Sequence, residues 1–258
     1  MAKKNITLSV ALAVYNEEEN IGRCLASVKD IADEIIVVDG GSSDNTVAVA
    51  KKYGARVIKT TNPPIFHINK QKALDAAHGE WILQLDADEA VSKELGKEIL
   101  ETISSHFVPN GYYIARHNYF LGNWLRKGGQ YPDYVIRLFR RGSGKFPQKS
   151  VHEQIEIDGH VGHLENAMEH YSYTSISQYW SKARTYIKLS AAELKEKPNG
   201  HSVATAVSYM LVKPVTTFFA IYVRHKGFVD GWRGFLFALF SALHFPNAYR
   251  LSRVRMSS

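Results

Sequence analysis

Four short runs in the first third of the chain, residues 6–14, 34–38, 55–58 and 81–85, are almost wholly apolar instead of alternating. A strand of that kind is buried on both faces, as in a parallel sheet covered by helices on both sides. The intervening segments have helical spacing. Ile21, Leu25 and Val28 share one face over residues 20–28, residues 45–53 follow a cap at Ser43 or Asp44, and residues 70–78 form a third helix. Strand–helix alternation of this sort predicts an α/β domain with a mostly parallel, Rossmann-like sheet.

In such sheets ligands bind beyond the carboxyl ends of the strands. Three polar clusters fall at that edge: Tyr15-Asn16-Glu17, Asp39 to Asp44, and Asp86 to Glu89. The last is WILQLDADEA, a buried strand that ends in acids. On an extended backbone Asp86 and Asp88 leave on the same side, and two carboxylates that close need a cation between them. Hard oxygen ligands suit Mg²⁺ or Mn²⁺, ions that usually arrive with substrate phosphates. The alternative is a helix start capped by Asp88 or Ser92. The first strand is followed by YNEEEN and no GxGxxG, which argues against a dinucleotide site. The same acidic loop argues against a nucleotidyltransferase, which would want a basic glycine-rich loop there.

The runs VALAVYNEEENIGRCLASV, EIIVVDGGSSDNTVAVAKKYGA and KALDAAHGEWILQLDADE resemble family 2 glycosyltransferases with the GT-A fold. The resemblance implies a nucleotide-sugar donor across the strand ends. Tyr15, Asn16 and Glu17 would lie near base and ribose, Asp39 on the nucleoside, and Asp86 and Asp88 on the diphosphate through a divalent ion. The family often carries Arg-Asn on the helix before the DxD strand. Here Lys70-Gln71-Lys72 stands instead, so Lys70 and Lys72 are donor contacts or a solvated helix face.

Further on, residues 94–103 read as a surface helix and 112–116 as a strand. YPDYVIRLFRR over 131–141 places Asp133 before an alternating strand, with Val135, Arg137 and Phe139 on one face. Ser150-Val151-His152-Glu153 precedes another strand at 154–157. This combination resembles the branch that includes lipopolysaccharide-core glucosyltransferases. It implies Glu153 as general base with Asp133 as runner-up, and His152 as a phosphate or metal contact. Arg137 and Arg140 face anionic substrate groups or a core acid.

The chain of 258 residues has one cysteine, Cys24, which excludes an intrachain disulfide and a cysteine zinc site. Lys3 and Lys4 precede an apolar run, but Thr7 and Ser9 interrupt it, so it reads as a strand and not a leader. Residues 1–110 carry a charge balance of −4 and residues 111–258 one of +11. No nucleic-acid motif accompanies the basic half.

Residues 175–194 form an amphipathic helix, ended by Lys197-Pro198-Asn199-Gly200. Residues 203–223 are largely apolar, interrupted by Lys213 and Pro214, and residues 234–245 are apolar but too short to span a bilayer. With flanking arginines they are expected to lie in an anionic membrane interface; the alternatives are a helical pair packed on the catalytic domain and a true span, in which Lys213 at mid-depth would cost about 2.5–3.5 kcal/mol on insertion. The reading is a catalytic GT-A domain over residues 1–172 and a membrane-associating helical region over 173–258. The protein is expected to be cytoplasmic, peripheral to the inner membrane. It would be an inverting, metal-dependent enzyme moving a sugar, favoured as a UDP-hexose, onto a membrane-linked glycan or lipopolysaccharide-core acceptor. A sugar-nucleotide-binding module without activity is the other class to be tested.

Overall fold

The computed structural model describes residues 6–105, 108–147 and 154–254. The chain divides into two compact units, one formed by residues 1–116 and 133–170, the other by His117–Pro132 and residues 171–258.

In the first unit, β1 (Leu8–Val14), β2 (Glu34–Asp39), β3 (Arg56–Lys59) and β4 (Trp81–Leu85) lie in the order β3-β2-β1-β4, all parallel. Helices α1 (Glu18–Val28), α2 (Thr46–Lys52) and α3 (His67–Asp75) make the crossovers. The core follows from the pleat. Leu8, Val10, Leu12 and Val14 pack with Ile21, Leu25 and Val28 on one face, while Ala11, Ile36 and Val38 meet Ala73 and Leu74 on the other. This is the α/β sheet with helices on both faces that the apolar runs predict.

Beyond β4 the sheet turns mostly antiparallel. Its further strands are β5 (Glu89–Ala90), β6 (Gly111–Phe120), β7 (Asn123–Trp124), β8 (Tyr134–Arg140), β11 (Val161–His163) and β12 (Met168–Tyr173). Among their described pairings, β11 alone lies parallel to its neighbour, β6. The pair β9 (Gly144–Lys145) and β10 (Glu156–Ile157) stands as a separate ribbon, so the strand expected at 154–157 forms only over its second half. Helix α4 (Lys93–Ile103) is capped by Ser92, whose Oγ accepts from Leu95 N at 3.1 Å. The helix expected at 70–78 starts and ends three residues earlier, because the chain must turn at Gly79. A Cβ there would lie 2.7 Å from Ser9 N.

One expectation about β8 is overturned. Tyr112 pairs with Leu138 and Tyr113 with Ile136, so Arg137 is an extra residue in a bulge. Val135 and Leu138 therefore pack in one core cluster and Ile136 and Phe139 in the other, and the strict alternation of 135, 137 and 139 fails.

The second unit is helical. Helix α5 (Ile176–Glu196) begins at Ser175, whose Oγ accepts from Gln178 N. Helix α6 (Val203–Arg224) contains two π turns, Ser208–Val212 and Ala220–Arg224. It passes through Pro214 directly after the first of them, where the hydrogen-bond ladder is already opened. By length and composition α6 is long and apolar enough to cross a membrane. Helix α7 (Gly231–Arg253) extends well past the twelve-residue apolar run. Phe120, Leu125 and Tyr179 form the core here, with Phe237 and Phe240 against them.

Candidate active site

The first two polar clusters are tied to each other. Strands β1 and β2 pair in parallel up to Val14 and Asp39, so the loops after them leave side by side. Asn16 takes a left-handed backbone (φ 54°), which aims its side chain at the neighbouring loop. Its Oδ1 accepts from Ser43 N at 2.8 Å, and its own N–H donates to Ser42 Oγ at 2.9 Å. Glu17 N donates to Thr46 Oγ1 at 2.7 Å, and the Glu17 carboxylate accepts from Asn20. Tyr15 is exposed beside them. Asp39 is buried and accepts from Gly41 N and Ser42 N, which folds the loop back over the strand end.

The third cluster is not extended. The strand stops at Leu85, and a turn is closed by Asp86 N donating to Glu89 Oε2 at 2.9 Å and by Glu89 N donating to Asp86 O at 3.0 Å. Asp86 and Asp88 therefore face different partners. Lys70 Nζ lies 2.5 Å from Asp86 Oδ1, and Arg137 Nη2 lies 2.7 Å from Asp86 Oδ2. Asp88 Oδ2 stands 3.7 Å from His170 Nε2 on β12.

The cations continue into a chain of alternating charge. Arg137 Nη2 also reaches Glu89 Oε1 at 2.8 Å, and its Nη1 donates to Gln84. Arg116 reaches Glu89 at 3.5 Å and holds Asp133 Oδ2 through Nε at 3.0 Å and Nη2 at 2.7 Å. Glu89 is fully buried and Arg137 nearly so. Burial pushes the Asp86 carboxyl up. The charges of Lys70 and then Arg137 outweigh that and hold it well below the usual carboxylate range. Cys24, fully buried under the turn, is raised well above its ordinary value, by burial first and then by Glu89, Asp88 and Asp86. It stays a thiol and donates to Asp86 O.

The sequence profile described as glycosyl transferase family 2 matches residues 9–157, more than half of the chain and every strand-end cluster above. The chain belongs to that family. A glycosyltransferase of Rickettsia conorii, itself uncharacterised, is 30% identical over 97% of this chain and 90% of its own length. The Rhizobium meliloti lipopolysaccharide core biosynthesis glycosyltransferase LpsC is 28% identical over 93% of this chain and 89% of its own. Among solved structures, S. aureus TarS (residues 1–349) in complex with UDP-GlcNAc covers 96% of this chain and 84% of that one. Its TM-score is 0.50 at 18% identity, a likeness that speaks for the GT-A fold alone.

In this family 2 transferase, Lys70 is drawn inward to Asp86, away from any solvated helix face, whereas Lys72 lies on the exposed side and donates to Thr60 Oγ1 at 2.8 Å. Among the described residues, no three His, Cys, Asp or Glu side chains are grouped to hold a metal ion. The Asp88 carboxylate and the His170 imidazole, 3.7 Å apart, are an oxygen–nitrogen pair that Mn²⁺ could take together with phosphate oxygens and water, more readily than the oxygen-seeking Mg²⁺. Both Asp86 oxygens already carry protein cations. Glu153 and His152 lie outside the described residues.

The motif singles out neither His170, Glu89 nor Arg116 as a partner of the acids, and the sequence gives Arg137 two readings. A lone histidine more than eighty residues beyond the DxD has no sequence signal. Glu89 and Arg137 had one: an acid directly after the DxD, and an arginine set among buried strand residues.

Proposed function

We propose that this family 2 enzyme transfers a hexose from a UDP-sugar to a hydroxyl of a membrane-linked glycan or lipopolysaccharide-core acceptor, with inversion, at the cytoplasmic face of the inner membrane. One observation carries the reading. The loops after β1, β2 and β4 meet at one sheet edge, where Asp86 is held between Lys70 and Arg137 and Asp88 is turned to His170. Family membership and the named role of the Rhizobium meliloti relative support the class of donor and acceptor.

In this reading Tyr15, Asn16 and Glu17 receive the base and ribose, and the Asp39 loop closes over the nucleoside. Asp88 and His170 would hold the divalent ion. When bound, that ion supplies positive charge against the diphosphate leaving group. Lys70 and Arg137 fix Asp86 as an ionised acceptor at the rim, ready for a donor hydroxyl. Glu153 takes the proton from the acceptor hydroxyl, a step worth about 10²–10⁴-fold. Asp133 is the less favoured base, because Arg116 occupies its Oδ2.

Release of nucleoside diphosphate from labelled UDP-hexoses in the presence of Mn²⁺ tests the proposal. Asp88→Ala and His170→Ala should each abolish metal-dependent turnover with an unchanged circular dichroism spectrum. Glu153→Gln should keep donor binding and lose transfer. Full turnover in excess chelator would end the metal assignment, and normal transfer by Glu153→Gln would move the base to Asp133.

A further inference from the structure

The polarity of α6 is inverted. Its exposed positions are Val203, Val207, Leu211, Val215, Phe219 and Val223, with Ala204, Val212 and Thr216 beside them. Val203 is 82% exposed, Leu211 62% and Phe219 56%. The one charge between residues 203 and 223 is Lys213, and it is turned aside, with its ammonium 3.7 Å from the Tyr209 ring and 5.4 Å from that of Phe245 on α7. The inner side of α6 is aromatic and packs on α7 through Tyr209 with Phe245 and Tyr249, and through Phe218 and Tyr222 with Phe235. A water-facing helix would carry its charges on the side that here holds none.

The six apolar positions recur every fourth residue. On a regular α-helix that spacing drifts by about 40° per step and would carry the stripe round to the opposite side by Val223. The two π turns each take up more residue per turn and bring the stripe back into line.

We infer that α6 lies flat in an anionic lipid surface, with this stripe sunk among the acyl chains. The inference rests on the proposed membrane-linked acceptor only for its biological sense, since the geometry stands without it. Both ends of the stripe are cationic. Arg224 and Lys226 stand exposed at one end, and Phe228 and Trp232, which follow shortly in the chain, are exposed as well. Lys197 stands at the other, where Arg250 and Arg253 of α7 are also exposed and His201 touches Ser252. Asp230, the one acid after residue 208, is buried and accepts from Arg126 N and Lys127 N. Cations at both ends of one apolar face, with exposed aromatic rings at one of them, match the headgroup level of a bilayer.

Two other occupants fit less well. A second copy would bring its own cations against these ends in either orientation. A transmembrane α6 would draw α7 into hydrocarbon, and with it α5, which packs on α7 through Tyr179, Trp180 and Ser190. Helix α5 exposes Lys182, Arg184, Lys188 and Glu193, which water must keep.

The whole chain should co-sediment with phosphatidylcholine vesicles containing phosphatidylglycerol and much less with phosphatidylcholine alone. Leu211→Asp combined with Val215→Asp should lower that partition by about tenfold or more, with an unchanged melting temperature, because both side chains are already exposed. Nitroxide labels at Val207→Cys, Leu211→Cys, Val215→Cys and Phe219→Cys should report one common depth in the bilayer, Cys24 being buried. Absence of vesicle binding would overturn the inference. So would graded depths along the helix, or a concentration-dependent dimer that Leu211→Asp dissolves. Vesicle binding and donor turnover are read separately, so either reading can fail while the other stands.

Discussion

Arg137 shows what one residue decides in this protein. As the odd residue of a β-bulge its guanidinium leaves the sheet's alternation and reaches Gln84, Asp86 and Glu89 together. Burial lowers its affinity for a proton, but Glu89 and Asp86 raise it further, so it stays charged at any working pH. Such a pair adds little net stability when intact, but removing one partner strands the others. Arg137→Ala is expected to cost roughly 3–5 kcal/mol in urea unfolding. Arg137→Ala together with Glu89→Ala should cost less than the sum of the two single changes. Gly79 is the second such residue. A Cβ at Gly79 would meet Ser9 N at 2.7 Å and Ser9 Oγ at 2.8 Å, so Gly79→Ala should destabilise by about 1–3 kcal/mol in the same measurement.

At the scale of elements, Glu34 knits three segments. It begins β2, accepts from Ser9 Oγ on β1 at 2.7 Å, and accepts from His78 N and Nδ1 after α3 at 3.0 and 2.8 Å. Burial raises its carboxyl, yet the hydrogen bonds from His78 and Ser9 win and leave it below its ordinary value of 4.5. The stability it contributes is complete above that value and is lost as the pH falls through the lowered one. Glu34→Gln should therefore flatten part of the acid limb of stability against pH, below about pH 6 and so within about two units of the ordinary carboxylate range. Denaturant titrations across that interval check it.

For the whole molecule, donor binding should appear as stability. A ligand at one hundred times its dissociation constant adds about 2.7 kcal/mol to the folded state. UDP-hexose with Mn²⁺ should raise the melting temperature more than UDP-hexose alone, and Asp88→Ala should remove the difference between them. A melting temperature indifferent to every nucleotide sugar would favour a fold kept without the activity.

The parallel half of the sheet was legible because burial on both faces leaves a local mark: runs such as 34–38 have no polar side to show. The strand-end clusters were legible for a related reason, since polar residues that stop an apolar run abruptly have nowhere to sit but its rim. The partners of Asp86 and Asp88 were not, because Lys70, Arg137 and His170 reach them from α3, β8 and β12 across the sheet. A bulge that re-aims Arg137 and two π turns that straighten the stripe on α6 depend on strand register and helix packing, and neither is a property of the residues in line. Sequence by itself determined which runs form the buried strands and which polar clusters stand at their ends. Only the tertiary structure decided which charges meet, because ion pairing falls off over a few ångströms and those distances are set by the fold.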